Sequence, residues 1–268
     1  MRSFRVMIVV AVVAGVLGLS CATVPMSGRS QLSLISSSEM MSMSYQQYSE
    51  FIKTSKLSTN KKSVDLVRGV GVRIQKAVEQ YMAQNNLADA LKGYQWEFNV
   101  VESEEVNAWC MPGGKVVVYT GILPVTKDET GLAVVMGHEI AHAIAEHGRE
   151  RMSQQMLAEL GAAALDVALA KNSDETRALW MSAYGVGAQY GALLPFSREH
   201  ESEADHLGLV FMAMAGYDPN AAVSFWERMA AASGGGKPPE FMSTHPSDET
   251  RIRQIKENLP EAMKYYKK

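Results

Sequence analysis

Apolar residues recur at three- and four-residue steps from Glu39 to Phe51 and again from Lys61 to Gln84, where Val64, Val67, Val70, Ile74 and Val78 mark one stripe. That spacing predicts two amphipathic helices. Tyr94 to Val100 instead alternates apolar and polar positions, as a strand does, and Lys115 to Thr120 reads as a second strand set off by the turn Pro112-Gly113-Gly114. After Thr120 the pattern is helical almost throughout. Met156 to Leu194 is apolar and rich in Ala and Gly, but Asp166, Lys171, Asp174, Glu175 and Arg177 interrupt it. Those charges argue against a transmembrane span and leave room for a loosely packed helical pair lying over a cleft. Gly234-Gly235-Gly236 followed by Pro238-Pro239 reads as a flexible joint, and Ser247 to Leu259 as a short closing helix.

The N-terminus follows a different pattern. Arg2 and Arg5 precede an apolar run from Val6 to Leu19 that is too short to cross a bilayer, and small residues surround Cys21. Residues 1–20 therefore read as an export signal peptide. Two cleavage sites compete: before Cys21, as in a bacterial lipobox, or after Ala22, as in an ordinary signal peptidase site. The first makes Cys21 a lipidated N-terminal residue and gives the protein a membrane anchor, and Ala22 after the cysteine favours the outer membrane. The expected setting is thus the periplasmic side of the outer membrane. Residues 21–37, rich in Ser, Gly and Thr without periodicity, read as a flexible tether, and residues 38–268 as one domain.

Composition narrows this further. The net charge is −3, and −5 without Arg2 and Arg5, so the chain lacks the basic excess of a nucleic-acid binder. If Cys21 is lipidated or removed, Cys110 has no partner and reads as a small buried hydrophobe in a disulfide-free protein.

The chemistry is concentrated in His138-Glu139-Ile140-Ala141-His142, inside a helical pattern carried by Leu132, Val134, Val135, Ile140 and Ile144. At 3.6 residues per turn the two histidines lie about 40° apart on one face, where both imidazoles can reach a single ion. Glu139 falls on the adjoining flank, free to act as a base. A third histidine ligand would need Gly and His three and six residues beyond His142, where the chain has Ala145 and Gly148. His147 is one residue short of that spacing and, at nine residues from His138, points to the opposite helix face, so it reads as a surface or helix-end histidine. The alternative is a carboxylate from a second helix in Ser197 to Asp205. There Glu201 and Asp205 stand four apart on one face, so that one can ligate while the other hydrogen-bonds a ligating histidine from behind.

His138-Glu139-x-x-His142 followed by Glu201-x-x-Ala204-Asp205 resembles the gluzincin zinc metalloendopeptidases of the HtpX and CAAX prenyl endopeptidase family, especially its exported bacterial members such as BepA and LoiP. Asn107-Ala108, the strand ending Tyr119-Thr120-Gly121, Thr244-His245-Pro246-Ser247 and Arg251-Ile252 support the resemblance, which covers roughly residues 30 to 258. It implies an α+β, mostly helical, zincin-like domain with a small sheet beside the metal helix, and one zinc ion per chain held by His138, His142 and Glu201. It places Asp205 behind a histidine, Asn107 on the substrate side and His245 at the active site. HtpX and the CAAX endopeptidases have spanning helices that this sequence lacks.

The expected activity is hydrolysis of peptide bonds in unfolded or misassembled envelope proteins, with Glu139 as the general base acting on a water polarised by the ion. Val116, Val117 and Val118 are expected to present the substrate if their strand is a sheet edge; the other reading makes it interior. For His245 three readings stand: an exposed loop histidine, a donor to the oxyanion, and a fourth zinc ligand that latches the site shut. A rival function is a membrane-tethered chaperone or binding module with a non-catalytic zinc, which would leave Glu139 without a task.

Overall fold

The computed structural model describes residues 21–24, 26–189, 193–232, 240–245 and 249–267. The export segment, the Gly234 to Gly236 joint and Pro246 lie outside the described residues. The chain opens with a hairpin of β1 (Cys21–Thr23) and β2 (Ser30–Leu32), then α1 (Ser37–Thr54) and α2 (Lys61–Gln84). Side-chain caps begin both helices: Ser36 accepts from Glu39 N–H at 3.1 Å and Asn60 from Ser63 N–H at 3.2 Å. Each such cap contributes about 1 kcal/mol.

A small sheet follows, made of β3 (Glu97–Val101), β4 (Ala108–Met111) and β5 (Lys115–Tyr119). β5 lies in the middle, parallel to β3 and antiparallel to β4. The β4–β5 hairpin turns on Gly113 and Gly114 at φ 90° and 84°, conformations that L side chains rarely adopt. This corrects the expectation that Val116 to Val118 present substrate at an edge. All three are fully buried, and β5's backbone is used on both sides by its neighbours. The edge beside the metal helix belongs to β4.

The rest is helical: α3 (Leu123–Thr126), α4 (Glu129–Ile144), α5 (His147–Ala168), α6 (Asp174–Ala188), α7 (Leu194–Met214), α8 (Ala221–Ala232), α9 (Glu240–Thr244) and α10 (Glu249–Ala262). The architecture is α+β and mostly helical, as expected. α10 runs past Leu259 to Ala262, with Pro260 inside its last turn. α5 and α6 form the loose pair foreseen from composition, joined by the Arg177–Asp166 ion pair and by Tyr184 Oη donating to Ala158 O at 2.9 Å. Leu160, Leu179 and Trp180 stay exposed on it. No helix among the described residues is long and apolar enough to cross a membrane.

α4 is the centre of the core, buried continuously from Gly131 to Ile144 and flanked by α2, α7, α8 and β4. It crosses α7 backbone against backbone. A Cβ on Gly137 would stand 2.9 Å from Gly208 O, and one on Gly208 would stand 2.9 Å from His138 N. Glu201, Asp205 and Gly208 share a face of α7, so this glycine contact brings both acids against the histidines of α4.

The segment read as a tether is in fact docked. Val24 is fully buried in the main core, Gln31 is 2% exposed, and Arg29 makes ion pairs with Glu150 of α5 and Glu203 of α7. Composition suggested a tether because the strands are short and polar; what holds them is contact with residues more than a hundred positions away.

Candidate metal centre

Helical spacing puts His142 Nε2 3.1 Å from His138 Nε2. From α7, the Glu201 oxygens come within 3.3 Å of each of these nitrogens. His245 follows α9, its N–H bonded to Phe241 O at 2.8 Å and its ring against that of Phe241. Its Nδ1 stands 3.2 Å from His138 Nε2 and 2.9 and 3.0 Å from the Glu201 oxygens. The donor atoms of His138, His142, Glu201 and His245 all lie within 4.8 Å of one another, and all four residues are buried. Tetrahedral ligands at zinc distances sit about 3.3 to 3.6 Å apart, close to the separations found here. Nitrogen and oxygen donors in this arrangement fit one zinc ion.

Electrostatics sort these groups. Burial opposes charge on Glu201, but hydrogen bonds from His138, His142 and His245 outweigh it and hold the carboxyl far below the usual range, as an anion ready to ligate. Burial pushes His142 well below its ordinary value. For His138 burial acts the same way, yet the bonds to Asp205 and Glu201 carry it up to about 9. Burial raises the Glu139 carboxyl, against the pull of His245 and His138. Glu139 Oε1 has no hydrogen-bond partner, with His245 Nε2 3.5 Å away.

Behind His138, Nδ1 lies 3.0 Å from Asp205 Oδ1. Arg251 of α10 donates to both Asp205 oxygens at 2.8 Å, reaches Glu201 at 3.2 Å and stacks 3.4 Å over the Trp226 ring. Burial opposes ionisation of Asp205, but the Arg251 charge and the His138 bond hold its carboxyl low. Arg251 stands 46 positions from Asp205, so no local pattern in the sequence signals this partnership.

His147 is corrected. It is fully buried, with Nδ1 2.8 Å from His142 Nδ1 and Nε2 2.8 Å from Glu203 Oε2. On one unbroken helix its ring would face away from His138. Instead α4 ends at Ile144, Glu146 adopts φ 58°, and α5 starts at His147, so the ring swings back behind His142. Burial brings His147 down to about 4 and keeps it neutral. Cys110 on β4 is a free, half-buried thiol that burial pushes well up, in keeping with an inert hydrophobe. Asn107 precedes β4, its Oδ1 accepting from Ala108 N–H at 2.9 Å and its carbonyl accepting from Tyr119 N–H at 3.0 Å.

A small sheet laid along a buried His-Glu-x-x-His helix, with a carboxylate brought across from a second helix, defines a metalloendopeptidase that uses zinc. Residues 72–259 match the model of Peptidase family M48, and the chain belongs to that family. It is 41% identical over 194 residues to the mitochondrial metalloendopeptidase OMA1 of Schizosaccharomyces pombe, an alignment covering 70% of this chain and 53% of that protein. Human mitochondrial metalloendopeptidase OMA1 is 30% identical over 249 residues, covering 90% and 46%. The beta-barrel assembly-enhancing protease of Escherichia coli is 30% identical over 162 residues, covering 59% and 33%. The chain thus spans about half the length, or less, of the curated relatives it matches. These matches confirm the family and shift the emphasis within it, since the Escherichia coli protease is matched over less of the chain than the OMA1 enzymes. They also correct the expected setting: OMA1 enzymes aligned with 70 to 90% of this chain are named as mitochondrial, which overturns the reading of a periplasmic outer-membrane lipoprotein anchored through Cys21.

Proposed function

We propose that this chain is an endopeptidase for unfolded or misassembled polypeptides, with His138, His142 and Glu201 holding one zinc ion and Glu139 as general base. The observation that carries this reading is the buried, partnerless Oε1 of Glu139 beside the donor cluster. An unsatisfied buried carboxylate oxygen destabilises the fold, and a base that receives its proton only during the reaction accounts for it. Zinc, when bound, supplies Lewis-acid chemistry, polarising the scissile carbonyl and making water acidic enough to lose a proton near neutral pH. Glu139, with its carboxyl raised by burial, takes that proton and passes it to the leaving amine.

Substrate would lie along β4. The Asn107 carbonyl faces β5, so strand alternation turns the backbone groups of Ala108 and Cys110 outward. An extended polypeptide adding there bonds through its backbone, which tolerates any sequence and suits unfolded chains. Its carbonyl would take over the Ala108 N–H that Asn107 Oδ1 now holds. His245 is the latch in this reading, because its Nδ1 occupies the fourth donor position and its Nε2 faces Glu139.

The test is zinc content and cleavage of casein by wild type, Glu139→Gln, Glu201→Ala and His245→Ala. Glu139→Gln should keep its zinc and lose about 10²-fold or more in turnover, Glu201→Ala should lose zinc, and His245→Ala should turn over faster at equal zinc occupancy. Full activity in zinc-loaded Glu139→Gln would overturn the mechanism, and slower turnover in His245→Ala would make His245 an oxyanion donor.

A further inference from the structure

A histidine that ligates through Nε2 must carry its proton on Nδ1, and something must hold that proton. Asp205 does this for His138. Among the described residues, the partner behind His142 is not a carboxylate: its Nδ1 meets another imidazole, His147 Nδ1, at 2.8 Å. Two like nitrogens form a hydrogen bond only if one has the proton and the other a lone pair, and the groups further out decide which. Arg29 can only donate, and its Nε donates to Glu203 Oε2 at 3.0 Å. The ionised Glu203 can only accept, so His147 Nε2, at 2.8 Å, carries a hydrogen. With His142 ligating through Nε2, the one hydrogen of this 2.8 Å contact sits on His142 Nδ1, and His147 Nδ1 supplies the lone pair that accepts it. His142 Nε2 then faces the donor cluster with its own lone pair.

We propose that His147, Glu203 and Arg29 are positioning residues that fix the tautomer and orientation of His142, making the N-terminal hairpin part of the metal site's support. This rests on the reading of His142 as a ligand. A second arm steadies the same parts. Arg29 also donates to both Glu150 oxygens at 3.0 and 2.7 Å, Glu150 accepts from His200 Nε2 at 2.9 Å, and the His200 ring stacks on His147 at 4.3 Å. Arg29 is 22% exposed in its side chain, while His147 is fully buried, so the chain runs from the protein surface to the metal.

The test uses the full chain and reads zinc affinity by competition with a chromogenic chelator, and the visible absorption of the cobalt(II)-substituted protein. His147→Phe keeps the ring and removes both bonds; it should weaken zinc binding roughly 10- to 100-fold and alter the cobalt spectrum. His147→Gln, which offers one acceptor and one donor, should recover part of the loss. Arg29→Met, at the exposed end, should fold and show a smaller loss of the same kind, so it decides the matter if His147→Phe does not fold. Wild-type zinc affinity and an unchanged cobalt spectrum in Arg29→Met, or in folded His147→Phe, would overturn the proposal and leave the cluster as glue between hairpin and helices. His142→Ala separates this from failure of the ligand reading: if it binds zinc as wild type does, His142 is not a ligand.

Discussion

The two histidines of the metal helix are neighbours on one face, yet they are supported in opposite ways. Behind His138 stands a short, dry stack: Asp205 on the adjoining helix and then Arg251, both about 5% exposed and closed over by Trp226. Behind His142 the support is longer and reaches outward through His147 and Glu203 to Arg29 on the hairpin, 22% exposed. The first is a buried ion pair whose members have no solvent to fall back on. The second ends where water can replace a lost partner. The same chemical task, holding one Nδ1–H, therefore carries different risks to folding on its two sides.

The largest effect should come from breaking the buried side. Arg251→Met leaves Asp205 ionised and buried without its counter-charge, a change that typically costs about 3 to 5 kcal/mol. Arg29→Met should cost less, because Arg29 itself is 22% exposed, so water can enter where it leaves, and Glu150 and Glu203, though only 2% and 9% exposed, keep their bonds to His200 and His147. Chemical denaturation of both variants in the presence of chelator measures this, and equal losses would break the comparison. Next in size is Asp205→Asn, which keeps an acceptor for His138 but discards the charge. We expect zinc affinity to fall roughly 10- to 100-fold in chelator competition, more than for Arg29→Met.

These two sides also differ in how far they could be read from sequence. The metal helix and α2 announced themselves by periodicity, the strand from Lys115 by the Pro112-Gly113-Gly114 turn before it, and Glu201 with Asp205 by their shared face, because each signal lies within a few residues. The support behind His142 gave no such signal. Its bend sits at Glu146, a left-handed residue that is not a glycine, so nothing warned that the phase from His142 to His147 would break. Arg29 lies in the loop of a hairpin whose three-residue strands local pattern cannot distinguish from a linker. β4 was missed for a similar reason: Ala108 to Met111 has no alternation of its own, and only the Gly113-Gly114 turn before β5 implied a partner strand. Missing β4 is what turned β5 into a supposed edge.

Acid should sharpen the contrast on the outer side. Burial pushes the Glu150 carboxyl up, but the bonds from His200 and Arg29, and their charges, carry it down from 4.5 to about 2. A carboxyl depressed in the folded state stabilises the fold above its unfolded value, and that contribution is lost as pH falls from about 4.5 towards 2. The stability gap between wild type and Glu150→Gln, measured by denaturation with zinc chelated throughout, should therefore be full near pH 6 and shrink steadily below about 4.5. A gap that stays constant across that range would mean the carboxylate is not held by Arg29 and His200.

The smallest effect is a control that separates stability from metal support. Lys127 joins α3 to α4 at φ 66°, exposed to solvent, with its N–H bonded to Leu123 O. A left-handed conformation costs a residue with a Cβ about 1 to 2 kcal/mol, while glycine's extra freedom in the unfolded chain returns about 0.5 to 1 kcal/mol of that. Lys127→Gly should thus stabilise the protein by about 0.5 to 1 kcal/mol, raising Tm by roughly 1 to 4 °C for a domain of this size. Its site touches neither the Asp205–Arg251 stack nor the chain from His147 to Arg29. Zinc affinity and the cobalt spectrum should stay at wild-type values while Tm rises. If zinc binding tightened in step with Tm, metal affinity would be following global stability, and the losses expected in Asp205→Asn and Arg29→Met would no longer report on how each histidine is held.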